Sequence, residues 1–450
     1  MRIAFIETRD KTELFQAVAD RLPGEVFWLI QNAAFVGSGK RNVTVMKYPR
    51  RGVADAGKVD DAQRAILDRV RQSDRTGIYF GRDDWHYSAY YLSISKWFDE
   101  VRPDVIFGEP GSFWTHMVAL IAARRGVPFL NPLSSRYPTG RFAFFQSDRL
   151  TPFRGEGVRH SQQDLQRIVD DIVSGRERPD YMSSRRSPAA AFRARLALLR
   201  EWVRGERFTA QSPVLFVRSA LRLKAARRKW DVLAAEGAGR PTVRKVVLYP
   251  LQLQPEMNLD VWGYEYRDQS KLVANLADRF ADENVEVWVK PNPKSFYELS
   301  DDLLQVVSSR PNVRVLSHSV KMSEVVDQVA LVVTVTGSVA IERLLAEKPV
   351  LVLQEDYARW IGATPPTGLA LDADGITLDA VLSELSEAQR PKPVEVIERL
   401  ISTSYRGVIS EPTYMPGVLE PANVDRLVAA FNNVLLSIAP DVDGVRPGGG

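Results

Sequence analysis

The chain has no cysteine, which excludes disulfides, thiol nucleophiles and cysteine-ligated metals. Histidine is scarce: His86, His116, His160 and His318 are all there is, with no HExxH-type pair, so a histidine-built metal site is not expected. No apolar run approaches the ~20 residues that a spanning helix needs. Met1–Glu7 (MRIAFIE) lacks the long apolar core of a signal peptide and reads as a buried first strand. A cytoplasmic protein is the expectation. There is no solenoid-period repeat, and no glycine-rich loop ends in Gly-Lys-Ser/Thr, so a Walker phosphate loop is absent too.

What is present suits two α/β domains plus extras: 450 residues, 45% apolar and 26% charged. The net charge of +4 is unevenly placed, because Arg185–Trp230 holds 13 Lys/Arg against Glu201 and Glu206. In the first part, strands are expected at Arg2–Ile6, Glu25–Leu29, Val43–Lys47 and Asp104–Gly108. Helices are expected at Lys11–Arg21, Asp61–Arg71, Trp85–Val101 and Ser112–Arg125, with residues 131–141 as a polar loop. From about Ser161 to Gly239 the periodicity is helical, over Ala189–Val203 and Val214–Leu233. From Lys245 onward strands and helices alternate cleanly, which specifies a parallel sheet covered on both faces. The expected division is residues 1–160, a basic helical insertion 161–239, a second domain 240–420, a C-terminal helix 421–438 and a disordered tail 439–450. Two Rossmann-like domains facing a cleft are the expected architecture.

Open α/β sheets bind ligands beyond the carboxyl ends of their strands, and three such ends carry chemistry here. Leu331–Val335 runs into Thr336-Gly337-Ser338 and a helix, where unpaired N–H groups suit a phosphate; Ser338 as a plain helix cap is the alternative. Lys290 ends Val285–Val289 before Pro291-Asn292-Pro293, a stiff turn that can hold an ammonium against an anion or simply leave it in solvent. Glu256, after Gln254-Pro255, can act as base or nucleophile, with Asp260 as neighbouring alternative. In the first domain Glu109 follows a strand and can serve as acceptor base or helix cap. Arg136 and Arg141, in the polar loop, can grip an anionic acceptor. The basic segment reads as a surface for anionic membrane or as a hairpin with a solvated face. It lacks the interleaved aromatics of a nucleic-acid platform, so no nucleic-acid partner is expected.

The order "PLQ-QPE", "KPNP", "TVTGSVAIERLLAEKPVLVL" and "DYARWIG" over Leu248–Gly362 resembles the bacterial capsule polysaccharide biosynthesis family, which includes β-Kdo transferases. The first domain resembles it only loosely, through "PDVIF" and "SSRYPTGRF". The resemblance implies a GT-B-like fold and a glycosyltransferase of capsule or lipopolysaccharide assembly. The nucleotide-sugar donor would be a substrate, CMP-Kdo or a related acidic sugar, with no tightly bound cofactor and no required metal. The acceptor would be a glycan or lipid-linked glycan, with peripheral membrane contact through residues 185–230. Glu256 falls on the family's acidic catalytic position and Lys290 on its lysine. Thr336, Gly337 and Ser338 fall on the nucleotide-phosphate turn, and Glu342 on a glutamate that approaches the ribose. Gln254, Tyr357 and Trp360 would contact substrate. Asn292 departs from the family's histidine: an amide donates to a phosphate but cannot be cationic. A nucleotide-sugar epimerase of the same fold and a catalytically silent scaffold subunit are the competing readings.

Overall fold

A computed structural model describes residues 1–32, 41–49, 60–74, 77, 79, 85–179, 192, 196, 199–200, 202–209, 212–238, 245–281, 283–295, 297–363, 377–387 and 391–438. The expected tail 439–450 lies outside these residues, as does most of the expected helix Ala189–Val203.

The chain begins β1 (Arg2–Ile6), α1 (Thr12–Ala19), β2 (Glu25–Ile30), β3 (Val43–Val45), α2 (Asp61–Ser73), α3 (His86–Val101), β4 (Val105–Phe107), α4 (Phe113–Arg124), β5 (Phe129–Ser134) and β6 (Arg141–Gln146). The first sheet is ordered β12-β6-β5-β4-β1-β2-β3, where β12 (Tyr405–Arg406) arrives much later in the chain. The pairs among β1 to β5 are parallel, and β6 turns antiparallel onto β5. The 131–141 stretch expected as a loop is therefore mostly hairpin. Pro132 and the polar residues around it read as a turn, yet Pro132 sits opposite Phe144 in a regular register.

After α5 (Gln162–Val173) and the long α6 (Pro213–Ala238), the second sheet is built from β7 (Lys245–Pro250), β8 (Val285–Lys290), β9 (Val313–Val315), β10 (Leu331–Thr334) and β11 (Val350–Val352), all parallel and ordered β11-β10-β7-β8-β9. Among the parallel strands, both sheets run third-second-first-fourth-fifth. This is the doubly wound Rossmann order, and its crevice opens where the order reverses. In the first sheet the reversal lies between β1 and β4, in the second between β7 and β10.

Each sheet is buried on both faces, which explains its near-continuous apolar strands. Ile3, Phe5, Phe107 and Phe144 pack on one face of the first sheet; Ala4, Ile6 and Ile106 pack on the other. The chain then crosses back. Tyr405–Arg406 pairs with β6, and the C-terminal helix (Pro421–Ile438) inserts Phe431 at 4.7 Å from Phe107 and 6.0 Å from Phe5, ring to ring. A second domain reaching to residue 420 is thus too long by pairing, since Tyr405 already belongs to the first sheet. The two units also share a core: Phe145, Leu165, Val169 and Ile172 pack with Val339, Leu344, Trp360 and Leu400.

Candidate functional site

Parallel pairing sets the ends of β7, β8 and β10 side by side at one edge, Pro250 opposite Lys290. From there the chain runs into the three expected segments. Lys290 is 4% exposed, and its ammonium donates to the Pro291 carbonyl at 3.2 Å. Burial holds its pKa below the ordinary lysine value, with Glu324 opposing the shift. Asn292 turns its side-chain oxygen back to its own loop, accepting from the Lys294 N–H at 2.9 Å, so in this state it caps a turn.

Beyond β10, a Cβ on Gly337 would lie 2.5 Å from the Thr334 hydroxyl, a close approach that only glycine allows. The N–H groups of this turn do not stand open. The Gln252 amide lies across them; with its oxygen toward the donors, it accepts from Thr336 N at 2.7 Å and Gly337 N at 3.0 Å. Buried N–H groups require partners, and a side chain of the neighbouring strand end supplies one. An anion at this turn would have to displace Gln252. Ser338 starts the helix α7 (Val339–Leu345) with helical dihedrals and no capping bond from its side chain.

Arg136, at φ +70 on the hairpin tip, reaches from the first unit onto this edge. Its guanidinium donates to the Thr336 carbonyl, to the Tyr357 hydroxyl at 3.1 Å and to Asn258 Oδ1 at 2.9 Å, and lies 5.0 Å from the Tyr357 ring centre. Asn258 Nδ2 in turn donates to Glu256 Oε2 at 3.1 Å. One arginine therefore connects the Thr336 turn, Tyr357 and, through an amide, Glu256. Tyr357 is fully buried and donates to the Gly337 carbonyl at 3.1 Å. Beside it, the Tyr137 hydroxyl donates to Glu342 at 3.0 Å; burial pushes the Glu342 carboxyl above its ordinary value against that bond.

Other expected ligands are spent on structure. Arg141 is 7% exposed and holds Glu156 at 2.5 Å and the carbonyls of Ile401 and Ser404. Gln254 is buried among Asp260, Gln269 and the Arg267 carbonyl. Trp360 packs on Phe145 and donates to Thr403 at 3.0 Å. Hairpin pairing and core packing, which spacing does not reveal, consume these three. Glu109 stands at the end of β4 in a 2.9 Å ion pair with Lys11. Among the described residues no cluster of three or more His, Asp or Glu could hold a metal.

Five residues that the sequence did not single out stand in or beside the two crevices. Gln252 lies within the quoted motif, two residues before Gln254, and Asn258 lies two residues beyond its end at Glu256. Arg69 donates to the Val261 carbonyl at 2.8 Å and stacks on Tyr264 at 3.9 Å. Behind it Asp148 pairs with Arg69 at 3.3 Å and with His116 at 3.0 Å. Glu7 follows β1 across the crevice from Glu109 and accepts from the N–H groups of Gln31 at 2.8 Å and Asn32 at 2.7 Å. Burial outweighs those bonds and raises its pKa from 4.5 to about 7. A raised carboxyl stabilises the fold most below its unfolded pKa, and that contribution is lost as pH rises through about 7. Between pH 5 and 8 the native chain is expected to lose about 2 to 3 kcal/mol relative to Glu7→Gln, because each tenfold change in proton affinity on folding is worth about 1.36 kcal/mol. Urea unfolding of both proteins at the two pH values checks this; an equal change in both proteins would refute the raised carboxyl.

No curated protein matches the chain. Among the solved structures that align over most of it are the following three. S. aureus MnaA with UDP is 10% identical, covers 97% of both chains and has a TM-score of 0.28. The UDP-GlcNAc 2-epimerase from Neisseria meningitidis bound to UDP-GlcNAc is 10% identical, covers 97% of this chain and 100% of its own, and has a TM-score of 0.28. Thermosulfurimonas dismutans KpsC, a beta Kdo 2,4 transferase, is 12% identical over 73% of this chain and 86% of its own, with a TM-score of 0.37. Likenesses of that size say nothing of activity. The sequence match is more specific: a family model described as capsule polysaccharide biosynthesis protein covers residues 210–371, the stretch holding Glu256, Lys290 and the Thr336 turn. Over residues 210–371 the chain is thus similar to the capsule polysaccharide biosynthesis family.

Proposed function

We propose that the protein is a GT-B-type glycosyltransferase of bacterial surface-polysaccharide assembly. The second unit takes the nucleotide-sugar donor and the first unit the glycan acceptor. The observation that carries this reading is the coincidence of the family-matched segment with the β7/β10 crevice, faced by Arg136 from the other unit. Donor chemistry follows the resemblance: CMP-Kdo or a related acidic sugar.

In the reaction, the bond between the anomeric carbon and the phosphate oxygen breaks and its electron pair leaves with the nucleotide. Lys290, with the Thr336–Gly337 N–H groups once Gln252 is displaced, meets that charge, stabilising the transition state more than the ground state. Glu256 acts at the anomeric carbon, as nucleophile or stabilising carboxylate in a retaining transfer. The acceptor hydroxyl then attacks that carbon; any bond from it to Glu256 breaks, its electron pair returning to the carboxylate, and the hydroxyl proton passes to Glu109 once Lys11 yields. In this reading Lys290 meets the leaving charge without a metal. The basic segment 185–230 holds the enzyme at the inner face of an anionic membrane, at ~1 kcal/mol per basic residue near the surface.

Incubation with CMP-Kdo and a panel of capsule or lipopolysaccharide fragments tests the reading. Nucleotide release coupled to a lengthened glycan supports it. Conversion of UDP-GlcNAc to its 2-epimer without acceptor would establish an epimerase instead. Polymer output in cells that is indifferent to Glu256→Gln would leave a scaffold.

A further inference from the structure

One helix presents two apolar stripes, and among the described residues only one of them is covered. On α6, Ala226, Trp230 and Ala234 recur every fourth residue and pack into the second unit, with Trp230 donating to the Leu316 carbonyl at 2.9 Å. At 3.6 residues per turn, Val214, Leu221 and Val232 share one azimuth to within about 20°, on the side roughly opposite that packed stripe. They are 76%, 66% and 57% exposed, and Val217, adjacent to them, is 58% exposed. Arg218, Arg222 and Lys229 flank this stripe on one side and Lys224 and Arg228 on the other, all exposed. The acidic groups of α6 are Asp231, bonded to His318 at 3.2 Å, and Glu236 in the last turn. Upstream, Phe192, Leu196, Leu199 and Val203 repeat the pattern at spacings of four, three and four, with exposures of 67%, 55%, 45% and 70%.

We infer that the outward face of α6 is a membrane-insertion surface, lying in the headgroup plane of an anionic bilayer with Val214, Val217, Leu221 and Val232 in the acyl boundary. Apolar side chains bordered by long basic ones suit that boundary, where ammonium and guanidinium heads reach up to lipid phosphates. The charge favours an anionic lipid surface over a second copy of the chain, whose matching face would bring like charges together. The apolar stripe from 214 to 232 runs roughly 27 Å along the helix, ample for interfacial contact. This deepens, and rests on, the membrane part of the proposed function, replacing a purely ionic attraction with insertion.

The inner face of α6 ties the surface to the site. Arg227 donates to the Ser295 carbonyl at 2.8 Å, and the Tyr297 hydroxyl donates to Ser219 at 3.2 Å, both in the loop that follows Lys290. A docked bilayer would lie about one helix diameter, ~10 Å, from that loop, the placement a lipid-linked acceptor needs.

Co-sedimentation of the full chain with phosphatidylcholine vesicles, with and without one quarter phosphatidylglycerol, tests the inference. Val217→Ser/Leu221→Ser leaves the charge unchanged and is expected to weaken binding to the anionic vesicles at least about tenfold, since two aliphatic contacts are lost. Arg218→Gln/Arg222→Gln is expected to weaken it and reduce its salt sensitivity. Unchanged binding of the serine variant would overturn insertion and leave a purely ionic surface. So would binding by neither vesicle, or a dimer in analytical ultracentrifugation that the serine variant disperses. The melting temperature of the serine variant should match that of the native chain, separating docking from misfolding. Failure of CMP-Kdo transfer would overturn the proposed reaction and leave the vesicle result standing.

Discussion

Glu256→Gln is expected to lower the turnover of sugar transfer by about 10³-fold or more, the scale on which loss of a covalent or charge-stabilising carboxylate is felt. The substitution keeps the shape and the bond from Asn258, because a glutamine oxygen accepts as a carboxylate does. It removes only the carboxylate charge that the proposed reaction uses. Nucleotide affinity should stay within a few-fold, since Lys290 and the Thr336 turn are untouched. Steady-state rates with donor in excess, alongside nucleotide binding, separate the two effects. Turnover within tenfold of the native value would remove Glu256 from the reaction.

The second large effect belongs to Arg136. Its substitution by alanine deletes donor bonds to Thr336, Tyr357 and Asn258 and the contact with the Tyr357 ring. Arg136 reaches Glu256 at second hand, through Asn258, so the loss is one of orientation across the cleft. Charge-assisted bonds of this kind contribute about 1.5–3 kcal/mol each; kcat/KM should fall about 100-fold, about 2.7 kcal/mol, if the equivalent of one of the three serves to orient Glu256 in the transition state. The fall should appear mainly in kcat, and Asn258→Ala should reproduce part of it. Arg136→Lys should restore little, because an ammonium cannot span the three acceptors that the planar guanidinium reaches. A rise in acceptor KM with kcat unchanged would return Arg136 to the role of acceptor ligand that its polar loop suggested.

The two α/β units were legible because parallel strands buried on both faces leave continuous apolar runs, and β1, β2, β7, β8 and β10 all announce themselves so. The hairpin was not. Pro132, Thr139 and Gly140 carry turn chemistry, and the apolar strand Arg141–Gln146 is recognised only when paired. Nor could Tyr405 be assigned to a sheet whose partner strand lies more than 250 residues upstream.

The site divides the same way. The three strand ends followed from alternation and position, because parallel sheets bring their carboxyl ends to one edge. What each end touches did not. Arg136 and Thr336 stand 200 residues apart, and Arg141, Gln254 and Trp360 looked equally available until packing engaged them. Gln252 illustrates the limit from the other side: it lies inside the motif, yet its seat on the Thr336 turn depends on the adjacency of β7 and β10.

The central claim is that the β7/β10 crevice holds a nucleotide whose phosphate meets Lys290. Thermal stabilisation by CMP, UDP and other nucleotides, in the native chain and in Lys290→Met, tests it most directly. Stabilisation should follow occupancy, reaching about 2.7 kcal/mol at a hundredfold excess over Kd, with CMP preferred and the effect greatly reduced in Lys290→Met. Preference for UDP would contradict the donor assignment. Equal stabilisation of the native and Lys290→Met proteins, or of neither, would contradict the site.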